Sequence, residues 1–230
     1  MSILEDSARC LEARHVYCLA VPADLELYRS LMPRQFALPE QPMVDLTVFA
    51  YDRVRPRLFR PYLEAFIRLR CTYGNVEGWF IKTAPVTSCA ACWVGQRIGF
   101  PKYTVDSITL EGRPDCWFGE VKDDGAVSVR IEIAPGATWS GIGSEDTVLA
   151  ESMTLRPIFL LLPVDKGPGV QEITAEDLDP GTWLARGTGP ARLTLAPGHP
   201  LAGLFGRRSV YPGRFGHWRG VSRMVPRRLA

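Results

Sequence analysis

Nineteen prolines and 21 glycines are spread along all 230 residues, and this punctuation limits the fold more than any other feature. Proline removes a backbone donor and glycine admits turn conformations, so such a chain suits short strands and many turns better than long helices. Strand-like runs occupy 15–21, 43–51, 65–72, 78–82, 88–94, 104–111, 116–121, 126–133, 170–174 and 191–195. The run 65–72 alternates apolar and charged residues, which predicts a strand with one wet face. Asp123-Asp124-Gly125 reads as a hairpin turn. Helix signals are few. The segment 23–32 carries apolar residues at Leu27, Leu31 and Met32 and stops before Pro33; 145–155 forms a second short candidate, with Ser144 as its N-cap and Arg156-Pro157 after it. These runs predict a single α+β domain over 1–230, mainly antiparallel β with a few helices.

Composition excludes several functions. The apolar fraction is 46%, the charged fraction 23% and the net charge +2, so bulk charge points to neither nucleic acid nor a membrane surface. Arg207, Arg208, Arg214, Arg219, Arg223, Arg227 and Arg228 crowd the C-terminal segment, but glycine, proline and aromatics interrupt them. No apolar run approaches the ~20 residues that span a bilayer. The opening Met-Ser-Ile-Leu-Glu-Asp has no signal-peptide core. A soluble, cytoplasmic protein is expected.

Of the six cysteines, only Cys89 and Cys92 form a Cys-x-x-Cys. Read as part of a strand, they point to opposite faces, and His15, His199 and His217 offer no metal-ligand spacing. The cysteines therefore read as structural thiols, and no metal is expected. Nucleotide-binding glycine loops, a His-Glu-x-x-His and a Gly-x-Ser-x-Gly elbow are all missing.

Lysine is scarce: Lys82, Lys102, Lys122 and Lys166 stand against 23 arginines. Lys102 alone is flanked by Ile98, Phe100, Tyr103 and Val105. Loss of hydration among apolar groups disfavours an ammonium, and a neutral amine can condense with a ketone. The same local sequence also fits a snorkelling surface lysine after a turn proline. Glu64 lies among Tyr62, Leu63, Ala65 and Phe66, as a candidate partner or as a solvated residue at a strand start. Arg14 precedes the first strand, as a carboxylate-binding fork or an ordinary surface arginine.

The run Val94-Gly-Gln-Arg-Ile-Gly-Phe-Pro-Lys102-Tyr103 resembles the Gly-Arg-Glu-x-x-Gly-(Phe/Tyr)-Pro-Lys-Lys run of the acetoacetate decarboxylase-like superfamily. Arg156-Pro157 through Pro163 and Thr188-Gly189-Pro190-Ala191-Arg192-Leu193 are similar to two further strands of that family, in the same order. The resemblance implies a cone-like closed β-barrel, Lys102 as Schiff-base nucleophile, Glu64 in proton handling and Arg14 on the substrate carboxylate. Phe100 and Gln96, from the same run, are assigned to substrate binding. It also implies a homo-oligomer acting on a small keto acid without a cofactor. Departures stand out. Tyr103 replaces a second lysine, Gln96 replaces a glutamate and Thr47 stands where another glutamate is expected. The expected reaction is decarboxylation of a β-keto acid. The alternatives are aldol addition with dehydration, where Tyr103 or Tyr211 would act as hydroxyl acid/base, and a non-catalytic binding barrel.

Overall fold

The computed structural model describes residues 9–55, 60–136, 157–163, 169–206, 208 and 210–229. Its strands are β1 (Arg9–Ala20), β2 (Val44–Arg55), β3 (Tyr62–Tyr73), β4 (Val76–Val86), β5 (Lys102–Thr104), β6 (Ser107–Gly112), β7 (Trp117–Asp123), β8 (Ala126–Ile133), β9 (Ile158–Leu161), β10 (Val170–Leu195) and β11 (Tyr211–Leu229). Three helices accompany them among the described residues: α1 (Leu25–Leu31), α2 (Cys89–Arg97) and α3 (Ala202–Phe205). Tight turns make most pairings antiparallel. Between β7 and β8, Asp124 (φ 50°) and Gly125 (φ 73°) both take the left-handed conformation that a two-residue hairpin requires. Among the described residues only β4–β5 and β4–β9 pair in parallel.

The strand order β11-β1-β2-β3-β4-β9-β10, with a further β10–β11 pairing, closes a ring of strands. From the far half of β10 the sheet continues through β8, β7 and β6. Side-chain alternation gives the ring walls two different faces. Val16, Cys18, Leu46, Val48, Ala65 and Ile67 form one face and pack against Ile108, Leu110, Val121, Val129 and Ile131 of β6 to β8. This is the main core, outside the ring. The inner face gathers Phe49, Phe66, Ile81, Ala84, Phe100, Leu160 and Ile173, contributed by β2, β3, β4, β9, β10 and the turn before β5.

Several sequence expectations need correction. The run 88–94 is helical, not a strand: the Ser88 hydroxyl accepts the Ala91 amide at 3.2 Å, and Ala91, Cys92 and Gly95 form the buried helical face. Residues 104–111 divide into β5 and β6. The runs 170–174 and 191–195 belong to one strand, because β11 pairs with it from Val170 to Ala191, β8 takes over from Ala191 to Leu195, and register shifts around Asp179 and Trp183 absorb Pro180 and Gly181. The arginine-rich C-terminal segment is itself that partner strand. The expected wet face of β3 is covered. Arg68 and Arg70 point into the ring and are paired with Asp45 and Glu77. The helix expected over 145–155 lies outside the described residues. No helix among them is long and apolar enough to cross a membrane.

Gly119 marks how closely β7 rides on the ring. A Cβ there would meet Val48 Cβ at 2.6 Å and Val16 Cγ2 at 2.8 Å. Gly119→Ala is expected to destabilise the fold by about 1–3 kcal/mol through overpacking, measured by urea unfolding; an unchanged midpoint would show that the two layers do not press together there.

Candidate active site

The site begins with the way α2 ends. The amides of Ile98 and Phe100 both return to the Gly95 carbonyl, at 3.1 and 3.0 Å. Gly99 takes φ 88°, and a Cβ there would lie 2.3 Å from the Leu161 carbonyl oxygen. Only glycine fits this turn, which redirects the chain into β5. There Lys102 pairs with Ala84 of β4. The lysine stem then crosses α2 over Gly95, where an added Cβ would sit 2.5 Å from Lys102 Cδ and 2.8 Å from Cε. The Gln96 side-chain amide donates to the Lys102 carbonyl at 2.7 Å. Gln96 thus holds the lysine's backbone.

This geometry delivers the Lys102 ammonium to the inner face of the ring, where it forms an ion pair with Glu64 Oε2. Both are buried, Lys102 at 8% and Glu64 at 1% exposure. Two aromatic faces complete the cation's surroundings, Phe100 at 5.2 Å and Tyr62 at 5.6 Å. The Tyr51 hydroxyl donates to Glu64 Oε1 at 2.6 Å, and Tyr51 stacks on Tyr62 with centroids 4.6 Å apart. Burial, reinforced by the Glu64 charge, pushes both phenols well above their ordinary pKa. They stay protonated and available as donors. Nearby Cys10 is pushed up to about 12, chiefly by burial, and is inert as a thiolate source.

Strand parity separates the other expected residues from this centre. In the rung His15–Phe49–Glu64 the three side chains share the inner face, so their neighbour Arg14 faces outward. Arg14 binds Asp52 through two hydrogen bonds of 2.7 and 2.8 Å and donates to the Leu110 carbonyl at 3.1 Å. The expectation that it meets Lys102 is corrected. Tyr103, next to Lys102 in β5, likewise turns away. It is 43% exposed, in a shallow outer cleft with Thr83, Pro85, Ser128 and His199. The Tyr211 hydroxyl is engaged with the Phe205 carbonyl in the outer core. Phe100 does line the lysine.

Pairwise reading of the strands would have revealed more of the inner wall than motif reading does. Beyond Phe49 and Phe66 lies a polar cluster. Thr47 donates to Asp45 at 2.6 Å, and Arg68 pairs with Asp45 and reaches Thr47 at 3.2 Å. Tyr17 and Arg214 are directly paired residues of β1 and β11 beside it. His15 stacks on Phe49 (5.8 Å) and meets the edge of Trp183 (5.9 Å). Burial first, then the charges of Arg214 and Arg68, lower its pKa to about 3. Among the described residues, no group of three His, Cys, Asp or Glu side chains is placed to hold a metal. Of the six free cysteines, Cys18, Cys71 and Cys92 are buried and Cys89 is exposed.

The sequence profile of the acetoacetate decarboxylase family matches residues 5–205. The chain belongs to that family. No curated protein matches it by sequence. Among solved structures, an acetoacetate decarboxylase from Legionella pneumophila is similar at TM-score 0.73 and 20% identity, covering 97% of this chain and 87% of the other. An acetoacetate decarboxylase-like enzyme from Sphingomonas wittichii matches at 0.71 and 18%, covering 99% and 95%. The enduracididine biosynthesis enzyme MppR, complexed with pyruvate, matches at 0.71 and 14%, covering 97% and 90%. At these identities the likeness establishes the family's strand-rich fold.

Two outcomes test the site of this family member. Lys102→Met strands a buried carboxylate and should cost about 3–5 kcal/mol of stability, whereas Lys102→Met with Glu64→Gln should recover most of it; denaturant unfolding that finds both variants equally weak would dissolve the pairing. The second concerns His15, neutral when folded. The unfolded chain takes up its proton near pH 6.5 and the folded chain only near pH 3, so stability should fall as pH drops through that window. His15→Phe keeps the stacking and should flatten the slope; an unaltered pH profile would contradict the burial.

Proposed function

We propose that this chain is a lysine Schiff-base lyase acting on a small keto acid, with decarboxylation of a β-keto acid as its reaction. The observation that carries the reading is the Lys102–Glu64 pair, buried inside the ring with its lysine stem seated over Gly95. Glu64 takes a proton from the Lys102 ammonium, and the free amine attacks the ketone carbon. The carbonyl oxygen leaves as water, carrying two of the ammonium protons, and an iminium remains. The bond to the carboxylate carbon then breaks, carbon dioxide departs, and the electron pair moves to the iminium nitrogen to give a neutral enamine. Charge is annihilated in that step, which the apolar wall of Phe66, Phe100, Ile81 and Leu160 favours. Protonation of the enamine carbon and addition of water release the ketone and restore the lysine. Phe100 covers the reacting centre, and Tyr51 holds Glu64 in place. The chemistry requires neither metal nor organic cofactor, because the lysine itself is the electron sink. A cytoplasmic homo-oligomer belongs to the same reading.

A second reading keeps the iminium but adds an aldehyde to its enamine and expels water. The phenols of Tyr51 and Tyr62, both protonated beside Glu64, supply the hydroxyl acid that this route needs, in place of Tyr103. Incubation with keto acids and borohydride should add the mass of the reduced substrate to the Lys102 peptide and abolish turnover. Analysis of unreduced mixtures should find carbon dioxide and the shortened ketone; a dehydrated condensation product would favour the aldol route. Label confined to Lys82, Lys122 or Lys166, or full turnover by Lys102→Ala, would overturn both.

A further inference from the structure

The inner wall carries a cationic seat that the lysine chemistry does not use. Arg214 pairs directly with Tyr17, and Tyr17 with Thr47, so the three side chains share the inner face of the ring. Arg68 reaches Thr47 from the adjacent rung. Between them these elements bring two guanidinium groups and one carboxylate, Asp45, which is already committed to Arg68 and Thr47. No carboxylate among the described residues forms an ion pair with the half-buried Arg214. Arg68 Nε is buried without a hydrogen-bond partner there. His15, also on this wall, remains neutral and adds no negative charge. The wall therefore has a surplus of positive charge and unmet donors facing a space lined by Tyr17, Phe49 and Trp183. An uncompensated, partly desolvated guanidinium is costly unless an anion completes it.

We propose that Arg214 and Arg68 seat a second carboxylate of the substrate, so that the preferred ligand is a keto diacid longer than acetoacetate. The inference rests on the lyase reading for the ketone end and on the wall geometry for the acid end. Three strand steps separate Glu64 on β3 from Arg214 on β11, about 14 Å along the wall at the usual strand spacing. Side chains extending from both ends shorten that gap, and a ligand bridging them needs more than the three-carbon reach of a β-keto monoacid. Gly216 lets the rings of Trp183 and His15 settle on the backbone of β11 rather than over Arg214: a Cβ there would meet Trp183 at 2.5 Å and His15 Cε1 at 2.7 Å. Arg14 cannot take this role, since Asp52 occupies its fork on the other face.

Unreactive acids isolate the seat from the chemistry. Glutarate and adipate should bind more tightly than butyrate, read by calorimetry and by the fluorescence of the intact protein. Arg214→Met should lose about tenfold or more of the diacid affinity, as expected for one charge-assisted pair, and with it the preference for the diacids over butyrate. Arg214→Lys should restore part of the preference. Thermal unfolding of both variants near the parent temperature ensures that affinity, not folding, is being read. Equal affinity for mono- and diacids, or a diacid preference that survives Arg214→Met, overturns the proposal. The two readings fail separately. If borohydride labels no Lys102 with any keto acid while glutarate still binds through Arg214, the lyase is lost and the seat stands. If Lys102 traps a monoacid and a diacid equally well, the seat is lost and the lyase stands.

Discussion

The structure turns on an ion pair kept out of water. Lys102 and Glu64 meet where both are almost fully buried, and removing two charges from solvent costs several kcal/mol per ion before their attraction is counted. Good geometry alone rarely offsets that. Here the carboxylate also receives the Tyr51 hydroxyl, and two aromatic faces flank the ammonium. The local fold serves the same end. Gly99 turns the chain at a conformation other residues resist, Gly95 leaves room for the lysine stem, and Gln96 pins the lysine's carbonyl. A run that looks like a string of small and aromatic residues is, in three dimensions, a bracket for one amine.

The ring wall makes such burial possible by dividing labour between its faces. The outer face is apolar and packs against β6 to β8, which supplies the stabilisation. The inner face can then hold Glu64, Arg68, Asp45, Thr47 and His15, because the fold does not depend on that face being greasy throughout. Alternation enforces the division residue by residue. His15 and Arg14 are adjacent in sequence, yet one lines the ring and the other ties Asp52 and the Leu110 carbonyl on the outside.

That parity also explains what was legible in the sequence. Most strands could be read from their composition, and Lys102 and Glu64 emerged from an apolar setting and a family resemblance. The helix Cys89–Arg97 looks like a strand because Cys, Trp and Val suit one, whereas the decisive signal is the Ser88 cap. The length of β10 and the existence of β11 were hidden by proline, glycine and arginine, which a long ribbon tolerates through register shifts when each strand has the other as partner. Arg14 is implied at the site by the family resemblance and Tyr103 by its place beside Lys102, and strand parity turns both away from the ring's inner face. One residue along a strand reverses the face, and no motif spacing records which face is inward. Tyr51 could have been found by that test, since it lies two residues from Phe49 and opposite Tyr62.

The replacement of a second lysine by Tyr103 then takes on a different meaning. Because that position faces outward and is half-exposed, a tyrosine there does not become an acid or base for the lysine. Control of the amine must come from groups on the inner wall. Glu64 and the aromatic faces of Phe100 and Tyr62 are the groups that touch it there. Arg68 and Arg214 are the inner-face cations beside His15, and the acidic group of a bound ligand would neutralise their surplus field. Strand alternation thus decides which charges share the enclosed wall with Lys102.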